Sequence, residues 1–310
     1  MDEFELIRRY FDRQSASSGV VVGIGDDGAV LEPNPDKQQI QVIDTLVEGV
    51  HFPAGTHPTD IGYRIVAVNL SDVAAMGAEP RWMTLAITLA GANEHWLQLF
   101  SKGLFEAADQ HAVHLIGGDT TSGPAITVTV TITGEVEKGA ALLRSGAKAG
   151  DGIYVTGTPG DAAAGLQLLQ QGEASGDLQQ RFLRPTPRVE VGKRLVGKAS
   201  AAIDVSDGLV GDVKKMLSAS GVGGEINIDE LPISDALLEY SGAEAARGFA
   251  LTGGDDYELC FTAADDGMTG QFGDLARVTR IGQVLAAGQL VCKLDGDIVE
   301  IDDSGYRHFQ

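Results

Sequence analysis

Apolar positions along this chain recur with two periods, and stretches of one period interleave with stretches of the other. Ile61, Ile65 and Val68 follow helical spacing, and Pro58 suits a first helical turn, so a helix is expected from Pro58 to Gly77. Ile126, Val128, Val130 and Ile132 alternate with polar residues, which predicts a strand over 125–136 with one buried face. The same reading predicts helices at 2–13 and 94–111 and strands at 20–24, 39–46 and 82–90. Periodicity lapses around 144–152 and resumes with the apolar run Ile153-Tyr154-Val155. Beyond it, helices are expected at 160–171, 187–198 and 208–219, and strands at 201–205, 226–229, 258–262 and 277–283. The pattern is that of a mixed α/β (α+β) chain in two domains, 1–146 and 147–310.

Composition narrows the chemistry. Glycine supplies 41 of the 310 residues, about 13% against a usual ~7%, which calls for tight turns and close backbone approaches. The 44 acidic and 23 basic residues leave a formal charge of −21, a field that repels nucleic acid and admits phosphorylated ligands most readily with divalent cations. Cys260 and Cys292 are the only cysteines, without metal-ligand spacing, so neither a disulfide framework nor a thiolate zinc site is expected. No long apolar run occurs and the first residues carry no basic leader, so a cytoplasmic protein without membrane association is expected.

Three motifs match familiar patterns in letters alone. Gly23-Ile-Gly25-Asp-Asp-Gly28 has dinucleotide-fingerprint spacing, but it leads into a proline-broken extended segment rather than a helix, and Asp26 and Asp27 would repel a pyrophosphate. Gly192 to Ala199 has P-loop spacing, yet alanine replaces the hydroxyl residue that would hold magnesium, and its apolar residues suit a core-packing helix. His111 and His114 have no third ligand at zinc spacing.

What remains is a series of aspartates beside glycine or small residues: Asp26-Asp27, Asp44, Asp72, Asp119, Asp204, Asp207 and Asp255-Asp256. Asp72 continues the apolar stripe of its helix, which puts a carboxylate on the buried face. Asp44 and Asp204 follow short apolar runs, where strand ends would project them into a cleft. Like charges about 4 Å apart repel by roughly 4 kcal/mol at an effective dielectric of about 20, so a cluster of such groups requires cations. An all-oxygen donor set selects hard ions such as magnesium, and Gly117-Gly118 and Gly253-Gly254 allow close approach to a phosphate chain. The residues thus point to nucleotide-dependent phosphoryl transfer, with a non-catalytic metal- or nucleotide-binding protein as the alternative.

At these residues the chain resembles the thiamine-monophosphate kinase family, part of a larger ATP-using group with aminoimidazole ribonucleotide synthetase and selenophosphate synthetase. The segments GIGDDGAV, DTLVEGVHF, NLSDVAAMGAEP, LIGGDTT, RSGAKAGD, IYVTGTPGDAAAGL, RPTPRVEVG, IDVSDGL and LTGGDDYELCF carry the resemblance. It implies an aminoimidazole ribonucleotide synthetase-like fold whose N-terminal strands pair across a homodimer, and transfer of the ATP γ-phosphoryl group to thiamine monophosphate. It also implies magnesium at Asp27, Asp44, Asp72, Asp119, Asp204 and Asp207, ATP contacts from Gly118, Asp119, Arg144 and Ser206, and substrate contacts from His51 and Asp255. No covalent nucleophile is implied. Two departures stand out. Val42 and Ile43 occupy positions where the family usually carries hydroxyl residues, leaving a carbonyl at Ile43 or a water to serve as metal ligand. Asp303 stands where an aromatic residue usually precedes the Gly-Tyr-x-His-Phe ending.

Overall fold

The computed structural model describes residues 3–13, 19–91, 93–173, 176–264, 266–273 and 275–301. Asp303 and the Gly305 to Phe309 segment lie outside the described residues. The chain divides into two compact units, residues 1–73 with 78–139, and residues 74–77 with 140–310.

In the first unit the elements run α1 (Glu3–Tyr10), β1 (Val20–Val22), β2 (Val30–Leu31), β3 (Lys37–Val47), α2 (Pro58–Ala75), β4 (Glu79–Leu89), α3 (Glu94–Gln110), β5 (His114–Ser122) and β6 (Thr127–Glu137). Strands β3-β6-β4-β5 form one sheet in that order, with β4 and β5 parallel and the other neighbours antiparallel. Alternation sorts its faces. Val128, Val130 and Ile132 are buried together with Leu85 and Ile87, while Thr127, Thr129, Thr131 and Thr133 point the other way and remain half-buried. On that second face Thr45 and Thr129 share a hydroxyl hydrogen bond of 2.8 Å, as do Thr88 and Thr121.

Helices α2 and α3 cross where neither carries a side chain. A Cβ at Gly62 would lie 2.2 Å from the Phe100 carbonyl oxygen, and one at Gly103 would lie 1.8 Å from that of Thr59. Glycine is therefore obligatory at both points, and it brings Ile65, Leu97, Phe100 and Leu104 into a common buried layer.

The second unit contains β7 (Gly152–Thr156), α4 (Asp161–Gln170), α5 (Asp177–Leu183), α6 (Val189–Leu195), β8 (Ala201–Val205), α7 (Leu209–Ser220), β9 (Gly223–Asn227), α8 (Asp235–Thr252), β10 (Glu258–Ala263), β11 (Val278–Leu285), β12 (Leu290–Leu294) and β13 (Asp297–Val299). Its sheet has the order β13-β12-β9-β11-β7-β10-β8. Every residue of β7, β8 and β10 is buried, which is why these strands read as continuous apolar runs rather than alternating ones. The segment with P-loop spacing begins within α6 and runs past its end, and a Cβ at Gly192 would meet the Ala74 carbonyl oxygen at 2.0 Å. That glycine serves packing, and the Lys198 ammonium donates to Gln271 Oε1 at 3.0 Å.

Several elements escaped the periodic reading: β2, β5, α5, α8, β12 and β13. Strand β5 has the sequence HLIGGDTTS, without alternation, and forms because Gly118 lets its backbone close on β4; a Cβ there would lie 2.0 Å from Leu85 O. Helix α8 is interrupted at Gly242, which adopts φ +75°, so no single apolar stripe spans it.

Substituting Gly103→Ala forces α2 and α3 apart and is expected to cost about 1–3 kcal/mol, the usual range for overpacking a tight contact. Urea denaturation of the variant measures it. Gly172→Ala, at a site where a Cβ meets nothing within 4 Å, supplies the comparison for a glycine with positive φ alone.

Candidate active site

The sequence-derived site residues fall into two local groups, one in each unit, with several members standing apart from both.

In the first unit, Asp27, Gly118 and Asp119 line one cavity of about 640 Å³, bounded by α1, the 23–29 loop, β4 and β5. The loop is turned by Gly25 at φ +121°, and the Asp26 carboxylate accepts the Asp27 N–H at 2.9 Å, leaving Asp27 exposed. Asp26 therefore shapes the turn that presents Asp27. No helix follows, as the dinucleotide motif would require; the chain continues into β2.

Asp44 was expected at a strand end and is not there. Strand β3 continues through Val47, and Asp44 lies within it, opposite Val130. The row runs Asp44, Val130, Leu85, Gly118, across the whole sheet. With neighbouring strands about 4.8 Å apart, Asp44 and Gly118 sit at opposite edges, roughly 14 Å from each other along the backbone. Asp119 belongs to the next row, opposite Ala86. Ile43 pairs with Thr131, and its side chain is 64% exposed.

His51 follows β3 in a turn closed by its own backbone N–H to Val47 O at 2.9 Å. Its Nδ1 accepts the Val47 N–H at 3.0 Å, so the neutral ring carries its proton on Nε2. Asp72 is half-buried between buried Ser71 and Val73, rather than fully buried as the helix stripe implied, so its carboxylate keeps part of its hydration.

In the second unit, Ser206, Asp207 and Asp255 meet. Ser206 and Asp207 form the turn between β8 and α7, and the 253–257 segment lies alongside it. Asp255 N–H donates to Ser206 O and Tyr257 N–H to Val205 O, each at 2.8 Å. The approach needs glycine, since a Cβ at Gly254 would stand 2.7 Å from Ser206 O. Asp255 and Tyr257 both take positive φ, +69° and +53°, a conformation uncommon for residues with a side chain, and the Tyr257 hydroxyl donates to Asp255 Oδ1 at 3.3 Å. Asp204 again lies inside its strand, opposite Leu259 and 4% exposed, instead of ending it.

Arg144 does not join this group. Ser220 Oγ donates to the Arg144 carbonyl and accepts the N–H groups of Gly146 and Ala147, tying the segment to the C-terminal end of α7. The Ser206 turn precedes the N-terminal end of that helix, about 18 Å away for 12 residues.

Four groups hold this arrangement, of which only Asp256 stood among the acids singled out in the sequence. Asp212 is buried, and its Oδ2 accepts both the Ser206 and Asp207 N–H groups at 2.9 and 3.0 Å. Lys215 bridges Asp207 and Asp212. Asp256, next to Asp255, accepts from Gly160 N and Ala162 N and so fills the N-terminus of α4 with a carboxylate; burial drives its pKa well above the usual range against these two bonds. Glu258 is wholly buried and receives Arg188 Nε and Nη2 as a fork at 2.6 and 2.7 Å, with Arg181 and the Thr156 hydroxyl completing its shell. Burial pushes the Glu258 carboxyl up, but the two guanidiniums outweigh it and leave it below its ordinary 4.5. The signals were present in RPTPR and GGDDYEL, yet letters alone do not pair Arg188 with Glu258.

Among the described residues, no three histidine, cysteine, aspartate or glutamate side chains converge closely enough to hold a metal ion between them. The donors present in each group are nevertheless all oxygens, and Asp207 already holds one cation, the Lys215 ammonium.

Glu258→Gln leaves two half-buried guanidiniums without the wholly buried counter-charge they share and is expected to cost about 3–5 kcal/mol in urea unfolding. The pH dependence follows in sign. Because the folded pKa lies below 4.5, the pair's contribution is complete above pH 4.5 and is lost as pH falls through the lower folded value. The variant should lose that acid-side decline.

Comparison with known proteins bears on the fold and the family. Residues 25–136 match the AIR synthase related protein N-terminal domain, and residues 148–295 match the C-terminal domain of the same family. The chain is 48% identical to the thiamine-monophosphate kinase of Escherichia coli over 99% of its own length and 98% of the relative's. It superposes on the thiamine-monophosphate kinase of Stenotrophomonas maltophilia with a TM-score of 0.85 at 46% identity, over 96% of each chain. With AaThiL complexed with AMPPCP and TMP the TM-score is 0.80 at 32% identity, over 99% of this chain and 96% of that one. With its mixed α/β two-domain architecture, the chain belongs to the thiamine-monophosphate kinase family of enzymes within the AIR synthase related fold.

Proposed function

We propose that this protein transfers the γ-phosphoryl group of ATP directly to thiamine monophosphate, giving thiamine diphosphate, with magnesium ions held by its aspartates. The observation that carries this reading is the local assembly of motif residues, Asp27 with Gly118 and Asp119 in one unit and Ser206 with Asp207 and Asp255 in the other. The relative complexed with AMPPCP and TMP, at 32% identity over nearly the whole chain, supports both ligands.

Phosphoryl transfer between phosphates asks for positioning and charge neutralisation rather than an enzyme nucleophile. Gly118 brings backbone within reach of a phosphate, and Asp119 stands next to it. Ser206 offers a hydroxyl beside the Asp207 carboxylate. His51 presents Nε2–H as a donor toward the substrate phosphate, and Asp255, fixed by the strained 255–257 backbone, provides a second substrate contact. Magnesium suits the donor set, since it takes one or two carboxylates and fills its shell with waters and substrate phosphates; Asp27, Asp44, Asp72, Asp119, Asp204 and Asp207 are its candidate ligands, with the Ile43 carbonyl in place of a hydroxyl. When bound, it neutralises phosphate charge.

The proposed assembly is a homodimer. Strand β3 is an edge of eleven residues exposing Ile43, and a partner strand would satisfy it. The protein is placed in the cytoplasm, consistent with free, buried Cys260 and Cys292. Among the described residues, no helix is long and apolar enough to cross a membrane.

Purified protein with ATP and magnesium should release ADP only when thiamine monophosphate is added, and chromatography should show thiamine diphosphate as product. Turnover of thiamine in place of its monophosphate would overturn the assignment. Arg144→Met should lower kcat/KM by about 10² or more if its guanidinium neutralises phosphate charge, whereas Lys198→Met should be nearly silent. The reverse ranking, read from steady-state kinetics of both variants, would move the phosphate site to the turn after α6.

A further inference from the structure

Where the turn after β8 enters α7, two carboxylates share one ammonium: Asp207 of the turn and Asp212 of the helix. Lys215 Nζ lies 2.5 Å from Asp207 Oδ2 and 2.8 Å from Asp212 Oδ1. The two acids are not equivalent. Asp212 is 1% exposed, and its second oxygen is committed to the Ser206 and Asp207 N–H groups, so it belongs to the framework. Asp207 is 46% exposed and Lys215 43%, so this half of the bridge faces solvent.

A magnesium ion approaches carboxylate oxygen to about 2.0–2.1 Å and demands an ordered octahedral shell. An ammonium on the same oxygen occupies the approach and repels the incoming ion. Lysine, however, sits on a flexible four-carbon stem and can leave without disturbing α7. We propose that the Lys215 ammonium is a tethered stand-in for a divalent cation at Asp207, which the metal ion displaces when it binds. This rests on the reading of Asp207 as a metal ligand.

The bridge therefore neutralises Asp207 beside buried Asp212 while no metal is bound, and it sets the affinity of the site below what the carboxylate alone would give. Removing the lysine should tighten metal binding, an effect in the opposite direction from general damage to the fold.

The test uses the full chain, Mn²⁺ as the only ligand, and electron paramagnetic resonance to count free Mn²⁺ without nucleotide. Lys215→Met should lower the dissociation constant by about two- to fivefold, the worth of a half-exposed ion pair. Asp207→Asn should raise it by about tenfold or more, with or without the lysine. Thermal melting confirms that each variant is folded. If Asp207→Asn weakens Mn²⁺ binding while Lys215→Met leaves it unchanged or weaker, the stand-in role is refuted and the metal-ligand reading survives. If Asp207→Asn has no effect, the ligand reading itself fails and the proposal with it. Unchanged Mn²⁺ binding with loss of metal-free AMPPCP binding in Lys215→Met would make the lysine a phosphate contact instead.

Discussion

Two backbone hydrogen bonds govern the second unit's part of the site: Asp255 N–H to Ser206 O and Tyr257 N–H to Val205 O. They extend the pairing of β10 with β8 past the end of the strands, so that the 253–257 segment is laid against the turn entering α7. Neither bond forms unless Gly254 removes its side chain from the path of Ser206 O, and both require positive φ at Asp255 and Tyr257. The strain at two residues with side chains persists because the surroundings over-determine it. On one side Glu258 anchors the segment through Arg188 and Arg181, and on the other Asp212 holds the turn by its amides.

The acidic residues consequently divide their labour in adjacent pairs. In Asp255-Asp256 the first carboxylate is half-exposed and the second is buried at the start of α4; in Asp26-Asp27 both are exposed, but the first is committed to the turn by accepting the Asp27 N–H. Asp212 and Asp207 repeat the arrangement at a distance of five residues. A buried carboxylate has its oxygens committed to backbone N–H groups, joined at Asp212 by Lys215, whereas an exposed neighbour stays available to an incoming cation. This sorting accounts for a net charge of −21 in a chain whose core nonetheless folds around several aspartates.

How much of this could be read from residues alone depends on which interaction decides each feature. The strand at 127–137 was legible because its faces alternate between buried and half-buried, and side-chain period records that difference; the helix from Pro58 was legible from its apolar spacing and its first-turn proline, although residues 61–71 are buried on every side. Strand β5 was illegible because backbone proximity at Gly118 decides it, and glycine leaves no periodic trace. The candidate acids were legible as a set, from their glycine neighbours. Their ranking was not: Asp255 and Asp256 differ in which of them reaches the Gly160 and Ala162 amides, a contact made across 96 and 94 residues of chain. Asp44 was placed at a strand end because the apolar run stops at Ile43, yet pairing with β6 carries β3 four residues further.

That extension of β3 has a consequence for any site that employs both Asp44 and Asp119. Three strand spacings, roughly 14 Å, separate the two edges of the sheet, and a single hexacoordinate ion with ligands at about 2 Å cannot bridge such a gap through carboxylates alone. Side-chain reach of about 2.5 Å at each end does not close it. Two carboxylates at opposite edges of one sheet therefore act on different ions, or on different ends of a long anion such as a nucleotide triphosphate, or in combination with residues of another copy docked along β3. Under the proposed reading, each arrangement would leave an individual ion with one or two protein carboxylates and the rest of its shell to waters and phosphates, the coordination magnesium favours.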